Sequence, residues 1–133
     1  MVSARNPYTK YLSSFRYETK NKIVLPSQTF QQYLENVVHK ENNFNCCGFY
    51  NRNPDYFVRV EKMYEDYQRI PFIENSDFNR FGKLKELCQK KINFNPPLND
   101  WRDFYTPQLA DLVYYSSQNY FEFFGYDKNS WKK

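Results

Sequence analysis

Glycine is scarce in this chain: three residues in 133. Few tight turns and few close approaches of backbone to a ligand are therefore available. Histidine occurs once, as His39, and cysteine three times, as the adjacent Cys46–Cys47 and the distant Cys88. No CxxC pair exists, so the ligand spacing of a structural zinc site is missing. The odd cysteine number points to a reducing compartment, or to a disulfide whose pairing the spacing leaves open. No apolar run approaches the ~20 residues needed to span a membrane, and Met1 is followed at once by polar residues rather than a signal-peptide core. These absences make the cytoplasm the default expectation for the chain as read, with the Golgi lumen open for a longer parent.

Aromatic residues are abundant instead: 13 tyrosines, 13 phenylalanines and 2 tryptophans, 21% of the chain. Such a composition argues for a packed core and against a disordered tail. The net charge of +4 is compatible with an anionic ligand without requiring one. At this length the chain is one domain or part of one.

Met1 to Ala4 is strand-compatible. Asn6 then stands as an N-cap with Pro7 at the first helical position, and Tyr8, Tyr11, Leu12 and Phe15 follow at helical spacing. A second helix is predicted from near Ser27, with Phe30, Leu34, Val37 and Val38 on its inner face. Residues 42–54 read as a loop. Asp55 to Glu61 alternates as a strand, with Tyr56, Val58 and Val60 on one face and Phe57, Arg59 and Glu61 on the other. A helix with Met63, Tyr64, Tyr67 and Ile70 ends at Pro71. Asp77 caps a further helix carrying Phe81, Leu84, Leu87, Cys88 and Ile92, and Pro96-Pro97 breaks the chain. The last helix opens after Thr106 with Pro107 at its first position. It carries Leu109, Leu112, Val113, Tyr120 and Phe124 inward and stops at Gly125.

The segment Val2-Ser3-Ala4-Arg5-Asn6-Pro7-Tyr8-Thr9-Lys10-Tyr11-Leu12-Ser13 delivers an arginine from a strand to a helix start. There, free backbone N–H groups and the positive end of the dipole favour an anion. Arg5 adds a bidentate fork suited to phosphate. Asn6, Thr9 and Ser13 share one helical face, so one phosphate can meet Arg5 and the Ser13 hydroxyl. The plainer reading is a surface arginine beside an ordinary capped helix, and spacing alone favours it.

Four segments in order resemble the sulfotransferases that use 3′-phosphoadenosine 5′-phosphosulfate (PAPS). Arg5-Asn6-Pro7-Tyr8, with Lys10 and with Ser13 eight positions after the arginine, is similar to that family's 3′-phosphate motif. The stretch from Asp55 to Tyr67 is similar to its strand-plus-helix segment, with Val60 standing where an aromatic often faces the adenine. Asn99-Asp100-Trp101-Arg102-Asp103-Phe104-Tyr105-Thr106 resembles the Asp-Trp-basic segment before the final helix. The Arg-Lys-Gly clamp that precedes it in cytosolic members is replaced here by Phe94-Asn95-Pro96, and Arg102 is a weak substitute. The ending Tyr120-Phe121-Glu122-Phe123-Phe124-Gly125-Tyr126-Asp127 looks like the Phe-Gly-Tyr terminus common in carbohydrate sulfotransferases.

The resemblance implies an α/β, P-loop-like sulfotransferase fold represented by its C-terminal half. The chain itself is expected to be mostly α-helical with one or two short strands. Residues 1–133 would be a partial domain: the 3′-phosphate strand–helix at 1–20, the strand–helix at 55–70 and the C-terminal helix at 106–124. It implies transfer of a sulfuryl group from PAPS to a hydroxyl or amine, on a carbohydrate acceptor, with Arg5 and Ser13 as the cofactor-binding residues. No metal is called for. The loop that holds the 5′-phosphosulfate finds no match: Gly82-Lys83-Leu84 lacks both the upstream glycine and a following Ser or Thr. The chain is therefore expected to be inactive alone and to need an N-terminal half. No catalytic base is assigned. His39, downstream of the motif at a helix end, reads as a helix-terminal or surface histidine. Arg59 and Glu61 read as a structural ion pair or a solvated strand face, and Glu65 and Asp66 as a solvated helix face. Two competing readings are a helical module for nucleic acid or another polyanion, and a structural remnant with no ligand.

Overall fold

The computed structural model describes residues 2–23, 25–40, 55–80, 82–89 and 100–133. The predicted loop at 42–54, Phe81, Ile92, Phe94-Asn95-Pro96, Pro96-Pro97 and Asn99 lie outside these residues, as does the side chain of His39. The chain divides into two compact units, Met1–Arg5 with Asn53–Phe94 and Asn6–Arg52 with Asn95–Lys133.

Among the described residues, the first unit holds two strands. β1 (Val2–Ala4) pairs in parallel with β2 (Phe57–Arg59), in the register Val2 to Phe57, Ser3 to Val58 and Ala4 to Arg59. The predicted strand at Asp55–Glu61 is thus shorter than its alternation suggests. Val58 is buried, whereas Tyr56 and Val60 are exposed. Val60–Lys62 winds into a 3-10 turn that leads directly into α3 (Met63–Gln68). An apolar side chain on a strand is buried only where something packs over it, and the chain leaves the sheet before a second turn of alternation can be covered.

Pro71 does more than end a helix. It sits at the first position of α4 (Pro71–Glu74), where its missing N–H costs nothing. The single helix predicted after Asp77 is two, α5 (Asp77–Arg80) and α6 (Lys83–Gln89). They are divided at Gly82, whose φ of 71° is left-handed. Ser76, not Asp77, caps α5: its hydroxyl accepts from the Asn79 N–H at 3.3 Å. Leu84 is buried, Leu87 is exposed and Cys88 is half-buried.

The second unit is helical. α1 (Pro7–Lys20) has the predicted cap, with the Asn6 side chain accepting from the Tyr8 N–H at 3.0 Å. α2 runs Phe30–Lys40, three residues later than predicted. The reason is a reciprocal capping box, with Thr29 Oγ1 accepting from Gln32 N and Gln32 Oε1 accepting from Thr29 N. After a 3-10 turn at Trp101–Phe104, the predicted final helix is α7 (Pro107–Ser116) and α8 (Gln118–Phe124), broken at the buried Ser117. Helices α1, α2 and α7 pack on one another. Gly125 ends α8 at φ 68°, and Tyr126 N–H donates back to the Phe121 carbonyl at 2.9 Å.

Aromatic rings fill this unit's core in edge-to-face and tilted contacts. Tyr8 meets Tyr105 and Phe121, each at 5.1 Å between centroids. Phe30 meets Tyr105 at 5.4 Å and Phe15 at 5.5 Å, and Phe15 meets Tyr33 at 5.2 Å. Tilted contacts of this kind align ring edges with ring faces and add to the burial of each ring. Among the described residues, no helix is long and apolar enough to cross a membrane.

Candidate functional site

Arg5 follows β1 by one residue, is half-buried and closes the first unit; Asn6 opens the second. Ser13 lies on α1, also half-buried. The strand–arginine–capped helix order expected from the sequence is present, with a parallel second strand beside β1.

The expected free donors at the start of α1 are fewer than a helix end normally offers. Pro7 has no N–H, and the Tyr8 N–H is taken by Asn6 Oδ1. The Asn6 amide Nδ2 donates to Ser130 Oγ at 2.9 Å, and Thr9 Oγ1 donates back to the Asn6 carbonyl at 3.0 Å. Asn6 and Thr9, which share a helical face with Ser13, are therefore engaged by the helix's own cap and, through the Asn6 amide, by Ser130. Asn6 is only 7% exposed. A ligand at this end relies on side chains rather than on a row of amides.

Tyr8, in the same motif, is built into the fold at every polar atom. Its N–H is capped by Asn6, its carbonyl accepts from the buried Tyr105 hydroxyl at 2.7 Å, and its own hydroxyl donates to the Lys128 carbonyl at 2.8 Å. Burial, with Asp111 as the next contributor, pushes the Tyr8 phenol above its ordinary range, and burial does the same to Tyr105. Both stay neutral through the physiological range and act as hydrogen-bonding struts.

The second matched segment contains an ion pair that the sequence reading misplaced. Asp66, expected on a solvated face, is 4% exposed. Arg59 grips it with Nε at 2.9 Å and Nη2 at 2.7 Å, and the Arg59 backbone N–H adds a third bond at 2.8 Å. Hydrogen bonds from the Arg59 side chain hold the Asp66 carboxyl below its usual range, against the upward push of burial. Glu65 beside it is exposed, since neighbours on a helix point apart. The pair welds β2 to α3. A signal for it existed in the sequence: an arginine leaving a strand and a carboxylate seven residues on, after one turn of chain reversal.

In the third segment Asp100 caps the 3-10 turn by accepting from Arg102 N–H at 2.9 Å. Arg102 Nε donates to the Ser130 carbonyl at 3.3 Å, and its guanidinium lies 5.3 Å from the Trp101 ring centroid. Arg102 is thus a structural contact within the second unit. Thr106 caps α7 by accepting from Leu109 N–H. Burial raises the Cys88 thiol above its usual range, which disfavours the reactive thiolate. Among the described residues, no group of three or more His, Cys, Asp or Glu side chains gathers as a metal site would require. In comparison with known proteins, the chain matches no family model, no curated protein and no solved structure.

Proposed function

We propose that the chain contributes the 3′-phosphate contact of a PAPS-dependent, P-loop-like sulfotransferase, with Arg5 and Ser13 as the contacting side chains and a carbohydrate hydroxyl or amine as acceptor. One observation supports this reading above others: a short strand hands Arg5 to a proline-started, asparagine-capped helix, beside a second strand in parallel register. Parallel pairing requires a long crossover and belongs to α/β architectures rather than to hairpins. Since Pro7 has no N–H and the Tyr8 N–H is taken by Asn6, this reading rests on the side chains of Arg5 and Ser13.

Within this reading the contact orients the donor and does not stabilise the charge that develops at the moving sulfuryl group. No segment of the 133 residues has the spacing of a loop for the 5′-phosphosulfate. Turnover then depends on a second component that carries it. Against the competing polyanion reading, Arg59, Arg80, Lys128 and Lys133 each have a carboxylate partner.

Titration calorimetry tests the proposal. Adenosine 3′,5′-bisphosphate is expected to bind and AMP, which lacks the 3′-phosphate, to bind more weakly. Arg5→Ala should lower the bisphosphate affinity by roughly tenfold or more, the effect of losing a charged hydrogen bond. Arg102→Ala should lower it less. Equal binding of the two nucleotides, or of neither, overturns the reading.

A further inference from the structure

The C-terminal residues lie on the start of α1. After Gly125 the chain turns on itself, with Asp127 Oδ1 accepting from Asn129 N–H at 2.8 Å and the Asp127 carbonyl accepting from Ser130 N–H at 3.1 Å. The turn aims its oxygens at three donors, two at the start of α1 and one on the 3-10 turn at Trp101–Phe104. Tyr8 Oη reaches the Lys128 carbonyl at 2.8 Å, Asn6 Nδ2 reaches Ser130 Oγ at 2.9 Å, and Arg102 Nε reaches the Ser130 carbonyl at 3.3 Å. Charged contacts surround these. Lys128 Nζ sits 4.6 Å from the Tyr114 ring centroid and 3.8 Å from Asp111, and Lys133 pairs with Asp103.

Magnitudes separate the two groups. Tyr8 is fully buried and Asn6 nearly so, and a buried donor left without its acceptor loses the bond and still bears the cost of desolvation. Asp103, Asp111, Lys128 and Lys133 are all substantially exposed, and exposed ion pairs contribute little. The hold of the tail on α1 therefore resides in the bonds from Tyr8 and Asn6. Both donors already serve the first turn of the helix, Asn6 as its cap and Tyr8 as the side chain anchored by Tyr105.

We propose that residues 126–133 form a clasp on the first turn of α1, a conformational device that sets how firmly the Asn6 cap is held. On the reading given above, which assigns the phosphate contact to this end of the helix, releasing the clasp weakens bisphosphate binding.

Amide hydrogen exchange across Tyr8–Leu12 tests the clasp, with the α7 amides Ala110–Val113 as the internal reference. Tyr8→Phe should speed exchange at the start of α1 by ~10-fold, the effect of one buried hydrogen bond. A chain ending at Tyr126 should speed it further. Lys133→Ala should change it by less than ~3-fold. Wild-type rates at Tyr8–Leu12 in Tyr8→Phe, or an equal acceleration there and in α7, overturn the clasp. If the shortened chain does not fold, Ser130→Ala takes its place and should show a smaller acceleration at the same amides. Bisphosphate titrations of the same variants separate the two readings. Affinity that falls in step with exchange supports both. Altered exchange in a protein whose wild type binds no bisphosphate upholds the clasp and sinks the phosphate assignment.

Discussion

Asp66 and Tyr8 show how far a single side chain's role depends on what folds over it. Both stand in segments singled out by the sequence: Tyr8 is buried as its helical spacing predicts, whereas Asp66 is buried where a solvated face was expected. Asp66 is the acceptor of three bonds from Arg59, and removing its charge leaves a half-buried guanidinium without its carboxylate. Asp66→Asn should cost about 3 kcal/mol of stability by denaturant titration, the scale of breaking a buried pair from one side. The sign of the pH dependence follows from the lowered carboxyl. The stabilisation is complete well above the unfolded value of about 3.8 and is lost as pH falls past it toward the native value. The Asp66→Asn protein should lack this acid-side loss. For Tyr8 and Tyr105 the phenols are raised by burial, so the sign reverses. Their contribution is complete below about pH 10 and declines as pH rises, because the unfolded chain releases those protons first. Tyr105→Phe should flatten the alkaline limb of a stability curve measured from pH 8 to 12.

At the scale of elements, local signals decided where helices begin, and glycine as well as tertiary packing decided where they break. Asn6-Pro7 and Thr106-Pro107 were legible as starts because cap and proline act within one turn of chain. The Thr29–Gln32 box was equally local, yet Pro26 and Ser27 offered a competing start three residues earlier. Thr29→Ala should lower stability by about 1 kcal/mol, with α2 exchanging faster, as expected for a lost cap. The break between α7 and α8 was not legible. Ser117 is an ordinary residue in an amphipathic run, and its burial reflects the packing around it. Gly125 was legible because its φ of 68° falls where only glycine is comfortable. A Cβ there meets nothing within 4 Å, so Gly125→Ala tests backbone strain alone and should cost about 1 kcal/mol in thermal or chemical denaturation.

At the scale of the whole molecule, burial is unevenly shared. Among the described residues the first unit buries Ala4, Val58, Ile70 and Leu84, while the second encloses Tyr8, Leu34, Val113, Phe121 and many more. Burial of apolar surface is the main favourable term in folding, so the first unit has the smaller reserve. Its two-stranded sheet is short of the three or more strands that usually make a sheet independently stable. Hydrogen exchange should therefore show β2 and α3 opening at lower free energy than α1 and α7. Uniform protection of both units would contradict this. The exposed Phe72 and Leu87 of the first unit add a tendency to associate, visible as concentration-dependent sedimentation.

The amino-acid sequence by itself determined the helical class, the two short strand positions, the capped starts of α1 and α7 and the glycine end of α8. Each of these depends on interactions that close within a few residues. Tertiary structure alone decided the parallel register of β1 and β2, the burial of Asp66 under Arg59, and the triple anchoring of Tyr8. It also decided the seating of Lys128 and Ser130 on the start of α1. Those contacts join residues as far apart as Asn6 and Ser130. No local propensity encodes such a pairing, because its free energy exists only once the aromatic core has brought the two ends of the chain together.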